Sequence, residues 1–138
     1  MKSRAVAESA VDIAIVGGGM VGASLALLLS HLKAGWRIRG IESFPLHSNA
    51  TLPPSFDGRS TALSHSSREI FELLGLWQSL HSGLTEIRQV HVSDRGHFGR
   101  ARLTAAEQNL PALGYVVENR QLGDVLMTAL QRAPGGEV

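Results

Sequence analysis

The sequence predicts an α/β fold whose first unit is strand, helix, strand. Three observations carry this. An apolar run from Val11 to Val16 leads into a glycine cluster, Gly17-Gly18-Gly19-Met20-Val21-Gly22. A second apolar run, Val21 to Leu32, follows at once and has the length of a helix. A third run, Trp36 to Ile41, closes on an acidic residue, Glu42.

The elements follow in order. Residues 1–10 read as a loose leader, followed by a strand at about 11–16, a helix at about 20–33 and a strand at about 36–42. This is a β-α-β unit, and its crossover should be right-handed. Residues 43–58 hold Ser43, Pro45, Ser48, Asn49, Pro53, Pro54, Ser55 and Gly58 and read as a long irregular loop, a length that goes with function or mobility. Ser66-x-x-Glu69 matches a capping box, and Ile70, Leu73, Leu74 and Trp77 repeat on one helical face. Gly75 interrupts that helix, and Leu76 to Leu80 continue as a second turn. Glu86 to Ser93 reads as a strand with Val90 and Val92 on one face, Asp94-Arg95-Gly96 as a turn, and Arg100 to Thr104 as the returning strand. Gly114 to Glu118 is a short strand, with Asn119 placed to cap a last helix. Leu122, Val125, Leu126 and Leu130 line one face of that helix, and Pro134-Gly135-Gly136 stops it.

Composition narrows the function classes. A chain of 138 residues predicts one domain, and 13 basic against 12 acidic residues leave a net charge of +1. Scattered arginines and 5% aromatics give no nucleic-acid surface. Without cysteine there is no disulfide framework, thiolate metal site or cysteine nucleophile. The order of elements is not a complete doubly wound sheet. It predicts the first part of a larger protein, with residues 11–138 in one nucleotide-binding domain and residues 84–113 forming a hairpin excursion toward a second domain.

The glycine cluster supplies the chemistry. Gly17, Gly19 and Gly22 form G-x-G-x-x-G between a strand and a helix, the context of a dinucleotide-binding turn. Gly17 permits the tight turn, and Gly19 lets a pyrophosphate approach the backbone. Gly22 lets the helix pack closely. Gly18, Met20 and Val21 complete the loop. Phosphates would meet free N–H groups and the positive end of the helix dipole. Glu42 lies twenty positions after Gly22, where a carboxylate accepts ribose hydroxyls and repels a 2′-phosphate. This selects FAD or NAD over NADP. A membrane span over Val11 to Leu32 and a secretory signal after Lys2 and Arg4 compete with this reading. Asp12 and three consecutive glycines suit a span poorly, and no cleavage site stands out.

Further blocks add a resemblance. Asp12-Ile-Ala-Ile-Val-Gly-Gly-Gly-Met-Val-Gly-Ala-Ser-Leu-Ala resembles the FAD-binding start of the class A flavoprotein monooxygenases. Phe56-Asp-Gly-Arg-Ser-Thr-Ala-Leu, Gly75-Leu-Trp-Gln-Ser-Leu, Val90-His-Val-Ser-Asp-Arg-Gly-His and Gly114-Tyr-Val-Val-Glu-Asn resemble the ubiquinone-biosynthesis hydroxylases within that class. The resemblance implies a Rossmann-like FAD-binding unit plus part of a substrate-side β-hairpin region, an incomplete N-terminal part of a two-domain flavoprotein. It implies FAD as cofactor, NAD(P)H as reductant, O2 as oxidant and a prenylated phenol as substrate. It places Arg59 by the FAD pyrophosphate and ribityl chain, and Arg120 at a flavin-side position. Tyr115 stands where many relatives have glutamine. The family's later flavin motifs do not occur here, so the chain alone is expected to be inactive. The resemblance also allows peripheral contact of a cytoplasmic protein with the inner membrane, or a place in a ubiquinone-biosynthesis assembly; it leaves oligomeric state open. A dehydrogenase-type NAD-binding unit and a non-catalytic nucleotide-binding fragment are the alternatives.

No residue is assigned a catalytic role. His91, Asp94 and His97 lack a further metal-ligand pattern and read as hairpin or solvent-facing residues. Ser64, His65 and Ser66 read as helix-cap chemistry, Trp77 as core, and Arg100 and Arg102 as a solvated strand face.

Overall fold

A computed structural model describes residues 10–32, 35–43 and 54–133. The expected leader up to residue 9, the middle of the expected loop and the Pro134-Gly135-Gly136 stop lie outside the described residues. Three small sheets and four α-helices make up the rest.

The first sheet is the predicted unit. β1 (Ile13–Val16) pairs in parallel with β2 (Ile38–Ile41), Ile13 opposite Ile38 and Val16 opposite Ile41. Its entry is pinned by Asp12, which accepts from the Arg37 backbone N at 2.8 Å and from Nε at 3.1 Å. Between the strands runs α1 (Met20–His31). It ends two residues earlier than the predicted helix and is 12 residues long. No described helix is long and apolar enough to cross a membrane. α1 buries Ala23 and Leu27 and packs against the last helix. Val21 and Leu25 lie exposed, so a helix apolar all round is covered on one side by the described residues.

The second sheet was not foreseen. β3 (Ser60–Ser64) lies between the expected loop, which ends at residue 58, and the expected helix cap, and Ser-Thr-Ala-Leu-Ser carries little apolar alternation to mark it. It pairs antiparallel with β7 (Gly114–Glu118), Ser60 opposite Glu118 and Ser64 opposite Gly114. β4 (Thr85–Ile87) pairs with the other edge of β7. The expected single strand from Glu86 to Ser93 is therefore two. At Arg88 the chain leaves β4 and enters β5 (Gln89–Ser93), which pairs with β6 (Arg100–Thr104) in a hairpin. The carbonyls at the break are satisfied, since Leu113 N donates to Ile87 O and Ala105 N to Arg88 O. Gly96 (φ +85) and Gly99 (φ +128) carry the hairpin turn, where Asp94 and His97 sit 2.9 Å apart.

α2 (His65–Leu73) begins where β3 stops. Its N-cap is Ser64, whose hydroxyl accepts from Ser67 N at 3.1 Å. The expected Ser66–Glu69 box is corrected, because the strand runs through Ser64 and Ser66 is already helical. Gly75 (φ +70) ends α2 as predicted. Its N–H donates to Glu72 O and that of Leu76 to Phe71 O, the paired bonds of a Schellman stop. α3 (Trp77–Leu80) and a 3₁₀ turn (His81–Gly83) follow. A second 3₁₀ turn, Ala106–Gln108, leads back toward β7.

The core lies between β7 and α4 (Asn119–Arg132). Val117, Leu80, Leu122 and Leu126 are fully buried. Leu122 and Leu126 come from the predicted apolar face, while Val125 and Leu130 pack at its margin. Trp77 meets Tyr115 edge to face with centroids 4.8 Å apart. Arg68 lies over both rings, donates to the Tyr115 hydroxyl at 2.5 Å and pairs with Glu72 at 2.8 Å. Tyr115 is thus a core residue in this chain.

Candidate functional site

The glycine turn sits where β1 hands over to α1. Gly17 has φ +97 and donates its N–H to Ile41 O at 2.9 Å, which holds the turn on the end of β2. Gly18 N–H donates to Glu42 Oε2 at 2.5 Å, and Ser43 Oγ donates to Oε1 at 3.1 Å. The carboxylate predicted to read a ribose is therefore at the turn, fixed to its backbone. Gly19 is the N-cap of α1, with extended backbone and no side-chain cap, and no acidic residue lies in the first helical turn. That leaves the positive end of the helix for an outside anion. A Cβ on Gly22 would fall 1.9 Å from Gly17 O and 3.3 Å from Ile15 Cγ2, so its role is close packing of helix on turn, as predicted. Val21 is 83% exposed beside the turn, and Met20 is half-buried.

A second segment runs alongside. A Cβ on Gly19 would lie 3.3 Å from Ser55 Oγ. Thr61 Oγ1 lies 4.0 Å from Met20 Sδ and donates to Asn119 Oδ1 at 2.6 Å. The starts of α1 and α4 thus meet at Thr61. Arg59 lies on the same segment and pairs through Nε with Asp57 Oδ2 at 2.6 Å, with its side chain 76% exposed. Asp57 also accepts the Arg59 amide at 2.9 Å. That bond, then the guanidinium, holds its carboxyl below the ordinary carboxylate range against desolvation. Asn119 does not cap α4 as expected. Its amide N–H donates to Arg59 O and its side chain is drawn inward to Thr61 and Asp57, so the N-cap position falls to Glu118. Arg120 N donates to Asp57 O, and its side chain is exposed.

The structure therefore gathers Gly17, Gly18, Gly19, Met20, Val21 and Gly22 in one turn with Glu42 bonded to it, Arg59 on the adjoining segment, and Arg120 at the start of α4 with its N–H on that segment. Sequence reasoning names Ser55, Asp57, Thr61 and Asn119 only as loop, block or cap residues and does not bring them to the turn. The Asp57–Arg59 spacing was the available signal, because residues i and i+2 in a turn bring a carboxylate onto a guanidinium. Among the described residues no group of His, Asp and Glu could hold a metal. A groove of about 720 Å³ between α1, α3 and α4, lined by Leu27, Leu76, Asp124 and Arg132 among others, holds none of the predicted site residues.

A β-α-β glycine turn with a carboxylate just after the second strand and a neighbouring arginine defines a dinucleotide-binding domain. The chain belongs to a family described as "FAD binding domain", whose model it matches over residues 10–138, and its cofactor is FAD. It is 31% identical over 131 residues to the ubiquinone hydroxylase UbiL of Rhodospirillum rubrum, covering 93% of this chain and 29% of that protein. To the 3-demethoxyubiquinol 3-hydroxylase of Escherichia coli it is 36% identical over 124 residues, 89% of this chain and 31% of the relative. The chain thus spans about three tenths of the length of these relatives. The p-nitrophenol 4-monooxygenase PnpA of Pseudomonas putida shares its fold, with TM-score 0.62 and 21% identity over 90% of this chain and 30% of that one. The flavin-dependent monooxygenase PieE, solved with FAD and substrate, does so with TM-score 0.63 and 23% identity over 91% of this chain and 23% of that one.

Proposed function

We propose that the chain is the N-terminal FAD-binding part of a flavin-dependent monooxygenase that hydroxylates a prenylated phenol in ubiquinone biosynthesis, with NAD(P)H as reductant and O2 as oxidant. The observation that carries the site assignment is the meeting of the glycine turn, Glu42 and the Arg59 segment at one end of α1. Gly17 to Gly22 would present backbone N–H groups to the pyrophosphate, and Gly19 would keep its approach free. Glu42 would accept the ribose hydroxyls. Arg59, with a guanidinium open to solvent, would face phosphate oxygens or the ribityl chain, and Arg120 the flavin side. Bound FAD supplies the redox chemistry; the residues described here bind and orient it. The ubiquinone-hydroxylase relatives support the phenolic substrate class.

The hairpin of β5 and β6 would form the excursion toward the substrate side. Its strand register places Val90, Val92, Ala101 and Leu103 on one face and His91 and Arg102 on the other. A substrate with a polyprenyl tail partitions into lipid, which supports work in the cytoplasm at the periphery of the inner membrane. Val16 and Val21 are about four-fifths exposed beside the turn, a surface suited to further protein. Because the chain spans about three tenths of the length of its hydroxylase relatives, the chain alone should not hydroxylate.

The test is purification of the longer protein that carries this segment, followed by denaturation and chromatography of what is released. Released FAD, and NAD(P)H oxidation that a prenylated phenol stimulates, are the expected results. A colourless protein that binds NAD tightly and releases no flavin would replace this reading with the dehydrogenase one.

A further inference from the structure

We propose that Asp57 is the positioning residue for Arg59: it ties the arginine to the N-terminus of α4, so that the guanidinium is set in place before any phosphate arrives. The proposal rests on the FAD reading above and adds to it a residue that does not itself touch the cofactor.

Four contacts converge on Asp57. Its Oδ1 accepts the Arg59 amide at 2.9 Å and Asn119 Nδ2 at 3.4 Å. Its Oδ2 takes Arg59 Nε at 2.6 Å, and its backbone carbonyl accepts Arg120 N at 3.0 Å. The loop is anchored on both sides of this residue. Before it, the Phe56 ring is buried against Gly123 of α4, where a Cβ would fall 2.4 Å from Phe56 Cγ. After it, Arg59 O accepts Asn119 N at 2.8 Å. Asn119 passes the restraint on to Thr61, next to Met20 at the start of α1. A five-donor guanidinium at the end of a flexible stem ordinarily loses rotamer freedom on binding an anion. Held at Nε, it has already given up part of that freedom and keeps its terminal N–H groups for an outside acceptor. Preorganisation of this kind raises affinity without adding a contact.

A rival role would be competition: Asp57 would then hold the arginine away from phosphate, and its removal would tighten binding. A second rival is a purely structural role, in which its loss would weaken every ligand alike.

The experiment has two arms, both on the 138-residue chain. Without nucleotide, amide hydrogen exchange should show the Arg59 amide protected in the wild type and in Asp57→Asn, and unprotected in Asp57→Ala. An Arg59 amide that exchanges at the unfolded rate in the wild type overturns the proposal. With nucleotide, ADP and adenosine are titrated calorimetrically into wild type, Asp57→Ala, Arg59→Ala and the double variant. Asp57→Ala should weaken ADP about tenfold, the size of one charge-assisted hydrogen bond, and leave adenosine unchanged. In the Arg59→Ala background it should cost nothing further, because two residues acting through one contact are not additive. Tighter ADP binding, or an equal loss in both backgrounds, refutes positioning. Adenosine binding without any gain from the phosphates, beside a protected Arg59 amide, refutes it too, and leaves the ribose site of the FAD reading standing. Absence of ADP and adenosine binding to the wild-type chain refutes positioning as well, whereas the FAD reading itself falls only if the longer protein that carries this segment releases no flavin.

Discussion

Replacing Gly22 by alanine separates a glycine needed by the fold from one needed by a ligand. Alanine is the better helix former by about 1 kcal/mol, so propensity alone predicts stabilisation. The structure reverses that sign. The added Cβ would stand 1.9 Å from Gly17 O, about 1.5 Å inside ordinary contact, and the atom it meets is backbone, which cannot rotate away. Overpacking of this kind costs about 3 kcal/mol at the upper end of its usual range. The net loss is about 2 kcal/mol, or roughly 6–10 °C in Tm for a chain of this size. Because Gly17 also hangs on Ile41 O, the shift would reach the end of β2. Gly19→Val is the control. Its Cβ meets the side-chain end of Ser55 at 3.3 Å, so stability should fall by less than about 1 kcal/mol, while binding of ADP or FAD should disappear. Thermal unfolding followed by circular dichroism, with and without nucleotide, reads both. A Gly22→Ala chain as stable as wild type would refute the packing argument, and a Gly19→Val chain that binds normally would refute the docking geometry.

Three further outcomes are expected. Glu42→Ala removes the acceptor for Gly18 N–H and for ribose at once; titration with ADP should show weakening of tenfold or more, and Glu42→Gln should recover part of it. Tyr115→Phe removes the hydroxyl that takes Arg68 and leaves the Glu72 pair, so stability should drop by about 1 kcal/mol with binding unchanged; a drop beyond about 3 kcal/mol would mean that the ring packing was disturbed as well. Asp12 is held below the ordinary carboxylate range, chiefly by the Arg37 guanidinium. A lowered folded-state pKa stabilises above the unfolded value and is lost as pH falls through the folded one. The difference in Tm between wild type and Asp12→Asn should therefore be present at neutral pH and vanish in strong acid; a difference that grows on acidification would reverse the assignment.

What could be read from the sequence was local. β1, α1 and β2 were legible because glycine spacing, apolar runs and Glu42 all lie within thirty residues and constrain one another. The hairpin was legible from its turn, and α4 from its apolar period. β3 was not, because Ser60–Ser64 is largely polar and its partner residues lie fifty to fifty-eight positions away. The break at Arg88 was hidden for the same reason: a run of extended residues does not reveal that its two halves pair with different strands. At the site, the residues facing the expected ligand were visible as a motif. The contacts that join Asp57, Thr61 and Asn119 behind them were not, since a hydrogen bond spanning fifty-eight positions leaves no periodic trace.

The strand order β3-β7-β4 has a consequence for synthesis. The middle strand of that sheet is the last of the three to leave the ribosome. Until Glu118 has emerged, β3 and β4 have no partner in the sheet and present open edges. The stretch from Ser60 to Leu113 must then wait, at ordinary elongation rates, for a few seconds. Closure on β7 brings Trp77 onto Tyr115 and Asp57 onto Arg120 together. The nascent β1-α1-β2 unit can assemble before that moment, and the half of the site that carries Arg59 only after it.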